Sequence, residues 1–131
     1  MKDVFEEALS KTNDELLNSD INTELSGSTV IAVFIHKDSI YSFNIGDSRA
    51  ILGRHIGGEW QLVPLSDDQK PSREDEKQRI LKFGGRVEAQ KDGRGQQIGP
   101  LRVWMKDVQM PGLAMTRSFG DKAGRKAGTN G

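Results

Sequence analysis

The run Val30-Ile31-Ala32-Val33-Phe34-Ile35, then His36-Lys37-Asp38-Ser39, then Ile40-Tyr41-Ser42-Phe43-Asn44-Ile45, decides the fold. Its first six residues are apolar at every position and mostly β-branched, which favours a strand over a helix. Apolar side chains on both faces of a strand predict burial from both sides, as inside a sandwich. The polar tetrapeptide reads as a tight turn, and Tyr41, Phe43 and Ile45 share one face of the returning strand. A hairpin is predicted, with Ile35 opposite Ile40.

That register has a consequence at the open end of the hairpin. Counting back along both strands puts Thr29 opposite Gly46 and Ser28 opposite Asp47, with opposed Cα atoms about 4.5–5.5 Å apart. Two polar motifs, Ser26-Gly27-Ser28-Thr29 and Asn44-Ile45-Gly46-Asp47-Ser48-Arg49-Ala50, are therefore predicted to meet at one end of one sheet.

Upstream, Val4, Phe5, Ala8, Leu9, Leu16 and Leu17 recur near one face at helical spacing, which predicts an amphipathic helix over 3–18. Downstream, Arg49–Leu52 and Trp60–Val63 read as a second hairpin across Gly57-Gly58. Ser72 is expected to cap a helix, with Asp75 at the capping-box spacing, acidic residues in the first turn and Gly84-Gly85 as the stop. Residues 90–99, with Gly93, Gly95 and Gly99, read as a mobile loop. Leu101–Trp104 and Leu113–Met115 are short strand candidates. Residues 122–131 hold three glycines, three basic residues and no large apolar side chain, and are expected to be a flexible tail.

Composition narrows the function. The 131 residues are one domain's worth, and 34% hydrophobic content at a mean hydropathy of −0.61 makes a lean core without the signature of disorder. Nineteen basic and nineteen acidic residues balance, so no nucleic-acid or anionic-membrane partner is expected. The absence of cysteine excludes disulfides, Cys-ligated zinc and a thiolate nucleophile. The two histidines, His36 and His55, fall in predicted turns and are too few for a His-rich metal site. The longest apolar run is far short of the ~20 residues of a membrane span, and the first residues lack the apolar core of a secretory signal. An intracellular protein, cytoplasmic or nuclear, is the expectation.

Chemistry concentrates in three motifs. Asp47 ends a strand, where a carboxylate can serve as a hard oxygen ligand for Mg²⁺ or Mn²⁺, and Gly46 leaves room for close backbone approach. The same aspartate could instead close an Asx turn. The hydroxyls of Ser26–Thr29 could order water around a metal or form a plain polar turn; their convergence on Asp47 is what a metal–water site would need. Arg117-Ser118-Phe119-Gly120-Asp121 offers an arginine for phosphate and an aspartate for metal, with Arg73, Arg79, Arg86 and Arg102 competing for the phosphate role. No glycine cluster matches a nucleotide-binding loop, which leaves them as helix stop and loop.

These motifs occur in order with Leu65-Ser66-Asp67-Asp68-Gln69-Lys70-Pro71, Glu76 with Arg79-Ile80, Gly84-Gly85 and Pro111 to Asp121. From about Glu24 to Asp121 the chain resembles the metal-dependent Ser/Thr protein phosphatases of the PP2C (PPM) family. The resemblance implies an α+β fold, a partial sandwich of two antiparallel β-sheets flanked by helices. Residues 1–121 would be the central part of the domain, with a flap over about 86–112. It implies Mg²⁺ or Mn²⁺ as cofactors, phosphoproteins as partners, a monomer where the domain is complete, and direct hydrolysis of phosphoserine or phosphothreonine. Asp47 resembles the aspartate that binds the third, labile metal, and Thr29 its neighbour acting through water. Gly46, Arg117, Gly120 and Asp121 resemble structural positions.

Two departures stand out. Gln69 replaces the family's usual histidine. The Asp-Gly-His-Gly-Gly, Arg-x-x-x-Glu-Asp and later Asp-Gly or Asp-Asn motifs, which carry the principal metal ligands, are absent from these 131 residues. No principal catalytic residue is therefore expected within the chain. Two expectations follow: an incomplete catalytic domain that is inactive alone, or a non-catalytic binding module that keeps the scaffold.

Overall fold

The computed structural model describes residues 2–130. In chain order the elements are α1 (Lys2–Leu17), β1 (Gly27–Ser28), β2 (Val30–His36), β3 (Ser39–Ile45), β4 (Ile51–Ile56), β5 (Glu59–Pro64) and α2 (Glu74–Phe83). The remainder are β6 (Arg86–Lys91), β7 (Gln97–Trp104), β8 (Pro111–Leu113), β9 (Phe119–Gly120) and α3 (Lys122–Arg125). Every strand pairing is antiparallel: β1 with β9, β2 with β3, β4 with β5, and β6–β7–β8 as a three-stranded sheet. This is an α+β assembly of small sheets and helices, consistent with part of a sandwich.

The first hairpin forms in the predicted register, Ile35 opposite Ile40 and Val30 opposite Ile45. Helix α1 covers one of its faces. Phe5 stacks on Phe43 with ring centroids 3.7 Å apart and lies 5.7 Å from Phe34. The other face was expected to be buried and is not. Val33, Ile35 and Ile40 are exposed there, Ile35 by 69%, because no second layer lies over it among the described residues. The second hairpin turns at Gly57-Gly58 as expected. Trp60 and Leu62, 73% and 72% exposed, share one of its faces with Ile51, and Gly53 lies under the Trp60 ring.

Four other expectations are corrected. Arg73, not Ser72, precedes the first turn of α2, with no side-chain cap; its guanidinium pairs with Asp75 instead. Residues 90–99 are not a free loop but the turn and flanks of the β6–β7 hairpin. Asp92 Oδ1 accepts the Arg94 and Gln96 amides there, an Asx arrangement that closes the turn. The last strand candidate is displaced, because β8 ends at Leu113. The supposed tail packs down as α3 and a following turn, with Ala123, Ala127 and Thr129 buried. Small side chains are what let it approach, and a Cβ on Gly85 would lie 2.2 Å from the Ala127 carbonyl. Gly131 lies outside the described residues.

The core joins Ile80 of α2, Val103 of β7 and Ala127, with Val87 and Met105 packed around them. Gly84 ends α2 at φ +99°, and the Gly84 and Gly85 amides donate to the Leu81 and Ile80 carbonyls. Beside this core the Glu76 carboxylate, 3% exposed, accepts hydrogen bonds from Arg117, Arg79 and the Thr116 hydroxyl. Arg79 also donates to the carbonyls of Thr116 and Gly128. One buried anion thus ties α2 to the segment before β9 and to the C-terminal turn.

Burial alone would push the Glu76 carboxyl up; Arg117, Arg79 and Thr116 outweigh it and hold the group at about 2 against an ordinary 4.5. Its stabilising effect is therefore complete above the unfolded value and is lost as pH falls from about 4.5 toward 2. E76Q should lose roughly 2–3 kcal/mol at neutral pH, less than for a fully dry pair because both arginines keep some water. Urea denaturation across pH 2–7 should show a shallower acid slope in the variant than in the parent. Equal slopes would mean that Glu76 does not carry the acid sensitivity.

Candidate functional site

The site is built at the corner where β3 ends. Gly46 turns the chain at φ +100°, and a Cβ there would lie 2.4 Å from Thr29 Cγ2, so only glycine fits. The predicted meeting of the two motifs is thereby realised for Thr29 and Gly46. It is not realised for Ser28, which pairs with Phe119 of β9 instead of facing Asp47. Thr29 Oγ1 and Ser48 Oγ are 2.7 Å apart and satisfy one another across the corner.

The loop after β5 locks this turn. The Gly46 amide donates to Gln69 Oε1 at 2.6 Å, and Gln69 Nε2 donates to the Asn44 carbonyl at 3.1 Å. The Gln69 amide returns a bond to the Gly46 carbonyl at 2.9 Å, and the Thr116 amide donates to the Gln69 carbonyl at 2.8 Å. Asn44 Nδ2 donates to the carbonyls of Gly46 and Asp67. The backbone of 44–46 thus has its polar groups engaged, and its path is fixed on both sides.

What this scaffold presents is Asp47. It is half-buried and borders a cleft of about 270 Å³ together with Lys70, Pro71, Ser72, Pro100 and Leu101. Among the described residues none donates a hydrogen bond to its carboxylate, so the Asx turn is not made. Its neighbour Asp68 behaves in the opposite way. It accepts Nε and Nη2 of Arg49, each at 2.8 Å, and Nζ of Lys70 at 2.9 Å. Arg49 and Lys70 hold its carboxyl far below the usual range.

A carboxylate with no donor among the described residues, next in sequence to Ser48, whose hydroxyl meets that of Thr29, suits one ligand position of a hard divalent ion. It suits no more than that, because the described residues contain no group of three acidic or histidine side chains that could hold a metal. His36 and His55 stand on strands of the two hairpins, exposed, with His55 against Trp60 at 5.1 Å.

The comparisons with known proteins decide what this arrangement belongs to. The model of the protein phosphatase 2C family matches residues 1–129. The chain belongs to the protein phosphatase 2C family. It is similar to probable protein phosphatase 2C 35 of Arabidopsis thaliana, 37% identical over 89% of this chain and 38% of that protein. It is 44% identical to probable protein phosphatase 2C 64 of Oryza sativa subsp. japonica over 73% of this chain. The fold is that of the crystal structure of serine-threonine phosphatase 2C from Toxoplasma gondii, with a TM-score of 0.77 at 24% identity over 92% of this chain. The chain spans 38% and 22% of the two plant relatives and 40% of the solved structure.

Within this PP2C framework the other motif residues fall on structural contacts. Arg117 is bound to Glu76 by Nε and Nη2. Gly120, at φ +75°, abuts the Ser26 carbonyl, and its amide donates to Asn13 Oδ1 of α1 at 3.1 Å. Asp121 precedes α3 at φ +44°; its amide donates to the Ser26 carbonyl, and its carboxylate fills the space a Cβ on Gly27 would need. None of these three borders the cleft beside Asp47. The competing arginines are committed too: Arg73 to Asp75, Arg86 to Glu88 and two carbonyls, Arg102 to the Gly112 carbonyl.

Sequence reasoning missed Gln69, Lys70 and Asn13 as working residues. Gln69 and Lys70 lie in an irregular stretch without period; the one available signal is Pro71, which holds Lys70 extended and out of a helix. Asn13 stands four residues after Leu9 on the apolar stripe of α1, and a polar residue there signals a buried hydrogen bond.

G46A should lose about 2–4 kcal/mol, from the positive φ and from overlap with Thr29. G57A, in an open turn with no atom near its added Cβ, should lose only about 1 kcal/mol. Urea midpoints measure both, and equal losses would show that the corner is not closely packed.

Proposed function

We propose that this chain supplies the third-metal aspartate and the flap of a PP2C-type phosphatase that hydrolyses phosphoserine and phosphothreonine in proteins. The observation that carries the reading is Asp47: a half-buried carboxylate without a donor among the described residues, on a corner whose backbone is held by Gln69 and Asn44. The family membership supplies the reaction class. Divalent cations, Mg²⁺ or Mn²⁺, contribute Lewis-acid chemistry in such sites: an acidified water and charge neutralisation at phosphoryl oxygens. This chain's own residues contribute positioning. Gln69 and Gly46 hold Asp47, Thr29 and Ser48 offer hydroxyls to nearby water, and the 86–112 flap lines one side of the cleft through Pro100 and Leu101.

The second reading is a binding module without catalysis. It is favoured by the lack of a three-ligand cluster among the described residues and by the exposed apolar faces of both hairpins. The two readings share the scaffold and differ in whether ligands from elsewhere complete the metal pair.

Two measurements test this. Titrating Mn²⁺ into the chain should broaden the amide resonances of Gly46 to Ser48 through paramagnetic relaxation, and D47N should abolish the effect. Broadening elsewhere, or its persistence in D47N, would remove Asp47 from the metal site. In a p-nitrophenyl phosphate assay the folded chain alone should show no Mn²⁺-dependent turnover. Chelator-sensitive turnover would mean that carboxylates within this chain suffice, and D47N and D121N would identify which.

A further inference from the structure

The corner that carries Asp47 is clipped by one uncharged side chain. Gly46 is buried, and its amide donates to Gln69 Oε1 at 2.6 Å. The other end of the same side-chain amide, Nε2, donates to the Asn44 carbonyl at 3.1 Å. Reversing it would set donor against donor and acceptor against acceptor, so the partners fix its orientation. One planar group thus spans residues 44 and 46 as the peptide unit of a neighbouring strand would. Gln69 is itself held: its backbone amide donates to the Gly46 carbonyl at 2.9 Å, and its carbonyl accepts the Thr116 amide at 2.8 Å.

Few side chains can make this clip, which needs a donor and an acceptor side by side at the end of a long stem. Asparagine is one methylene shorter, glutamate has the donor only when protonated, and histidine has the acceptor only when neutral. Glutamine keeps both whatever the pH. We infer that Gln69 is the positioning residue of the Asp47 corner, and that its amide keeps the corner's geometry constant across about pH 4.5 to 8. This deepens the phosphatase reading and rests on it for what Asp47 is positioned to do. Gln69 acts through Gly46, the residue before Asp47.

The charged groups around the clip are Asp47 and Arg49 after the corner, Asp67, Asp68 and Lys70 on the loop, and Arg117 and Glu76 beyond Thr116. No histidine is among them; His36 and His55 stand beside the turns, at the far ends of the two hairpins. Arg49 and Lys70 keep Asp68 ionised throughout this range. Glu76 stays ionised too, because Arg117, Arg79 and Thr116 outweigh the burial that opposes it.

The test is hydrogen exchange at the Gly46 amide of the whole chain, corrected for the intrinsic rate at each pH. The Gly85 amide, held by the Ile80 carbonyl, reports global opening in the same spectra. In the parent, Gly46 protection should vary by no more than about twofold across about pH 4.5 to 8. Q69L should lose about tenfold or more at every pH, because a buried donor is left without its acceptor. Q69H should hold Gly46 at pH 8 and lose about tenfold as the imidazole takes its proton near 6.5. Q69E should do the opposite, starting about tenfold below the parent and recovering as pH falls toward about 4.5 and the carboxyl regains a donor. Opposite slopes at one position are the signature of donor–acceptor matching; a side chain that only filled space would give flat curves.

Parent-like Gly46 protection in Q69L, a flat curve in Q69H or Q69E, or a sloping parent curve would each overturn the assignment. Where Q69L also lowers Gly85 protection, the Q69H and Q69E curves decide, each compared with itself across pH. Failure here with Mn²⁺ still broadening Gly46 to Ser48 removes Gln69 alone. The full pattern without Mn²⁺ at Asp47 removes the phosphatase reading instead.

Discussion

A single buried carboxylate holds the parts together. Glu76 is almost without water and sits among two guanidiniums and a hydroxyl drawn from two different segments. Such a charge is costly to bury alone, and it is tolerated because every lone pair has a donor. The apolar core beside it is small, three side chains with two more around them, too little to orient α2, the β6–β7–β8 sheet and the C-terminal turn by packing alone. Ionic geometry supplies the direction that a lean core does not.

The Asp47 corner depends on that anchor at one remove. Thr116, which donates its hydroxyl to Glu76, donates its amide to the Gln69 carbonyl, and Gln69 holds Gly46. A chain of bonds therefore runs from the buried anion to the presented one. The contrast between the two carboxylates is the organising fact of the site. Glu76 has all its partners and does structural work, while Asp47 has no hydrogen-bond donor to its carboxylate among the described residues. Asp68 lies between these extremes, bound by the Arg49 guanidinium and the Lys70 ammonium.

Local pattern made much of this legible. The β-branched run and the polar turn gave the first hairpin and the register that brings Thr29 to Gly46, Gly57-Gly58 gave the second hairpin, and Gly84-Gly85 gave the end of α2. What could not be read was tertiary. The continuous apolar run of β2 signals two apolar faces but not whether a layer covers each, and Ile35 is exposed where that pattern predicts burial. Residues 122–130 carry no apolar signal because they dock through smallness, with Ala123, Gly124 and Ala127 allowing close approach. Asp92 ordering the β6–β7 turn, and Gln69 bridging two backbones, are single-residue contacts with no period to announce them. In the motif Arg117 to Asp121, composition suggested ligands, and the arginine's partner forty-one residues upstream decided otherwise.

The two tryptophans sit at opposite extremes of exposure, and this gives the molecule an internal pair of optical probes. Trp104 is buried, with its indole N–H bonded to the Glu88 carbonyl, so its emission belongs to the blue and follows the integrity of the β6–β7–β8 sheet. Trp60 stands in water on the β4–β5 face and emits to the red. A surface that closes over that face would shift and shield Trp60 while leaving Trp104 unchanged, whereas melting the β6–β7–β8 sheet would do the reverse. Quenching by iodide can therefore separate association at the hairpin from events beside Asp47 within one unlabelled chain.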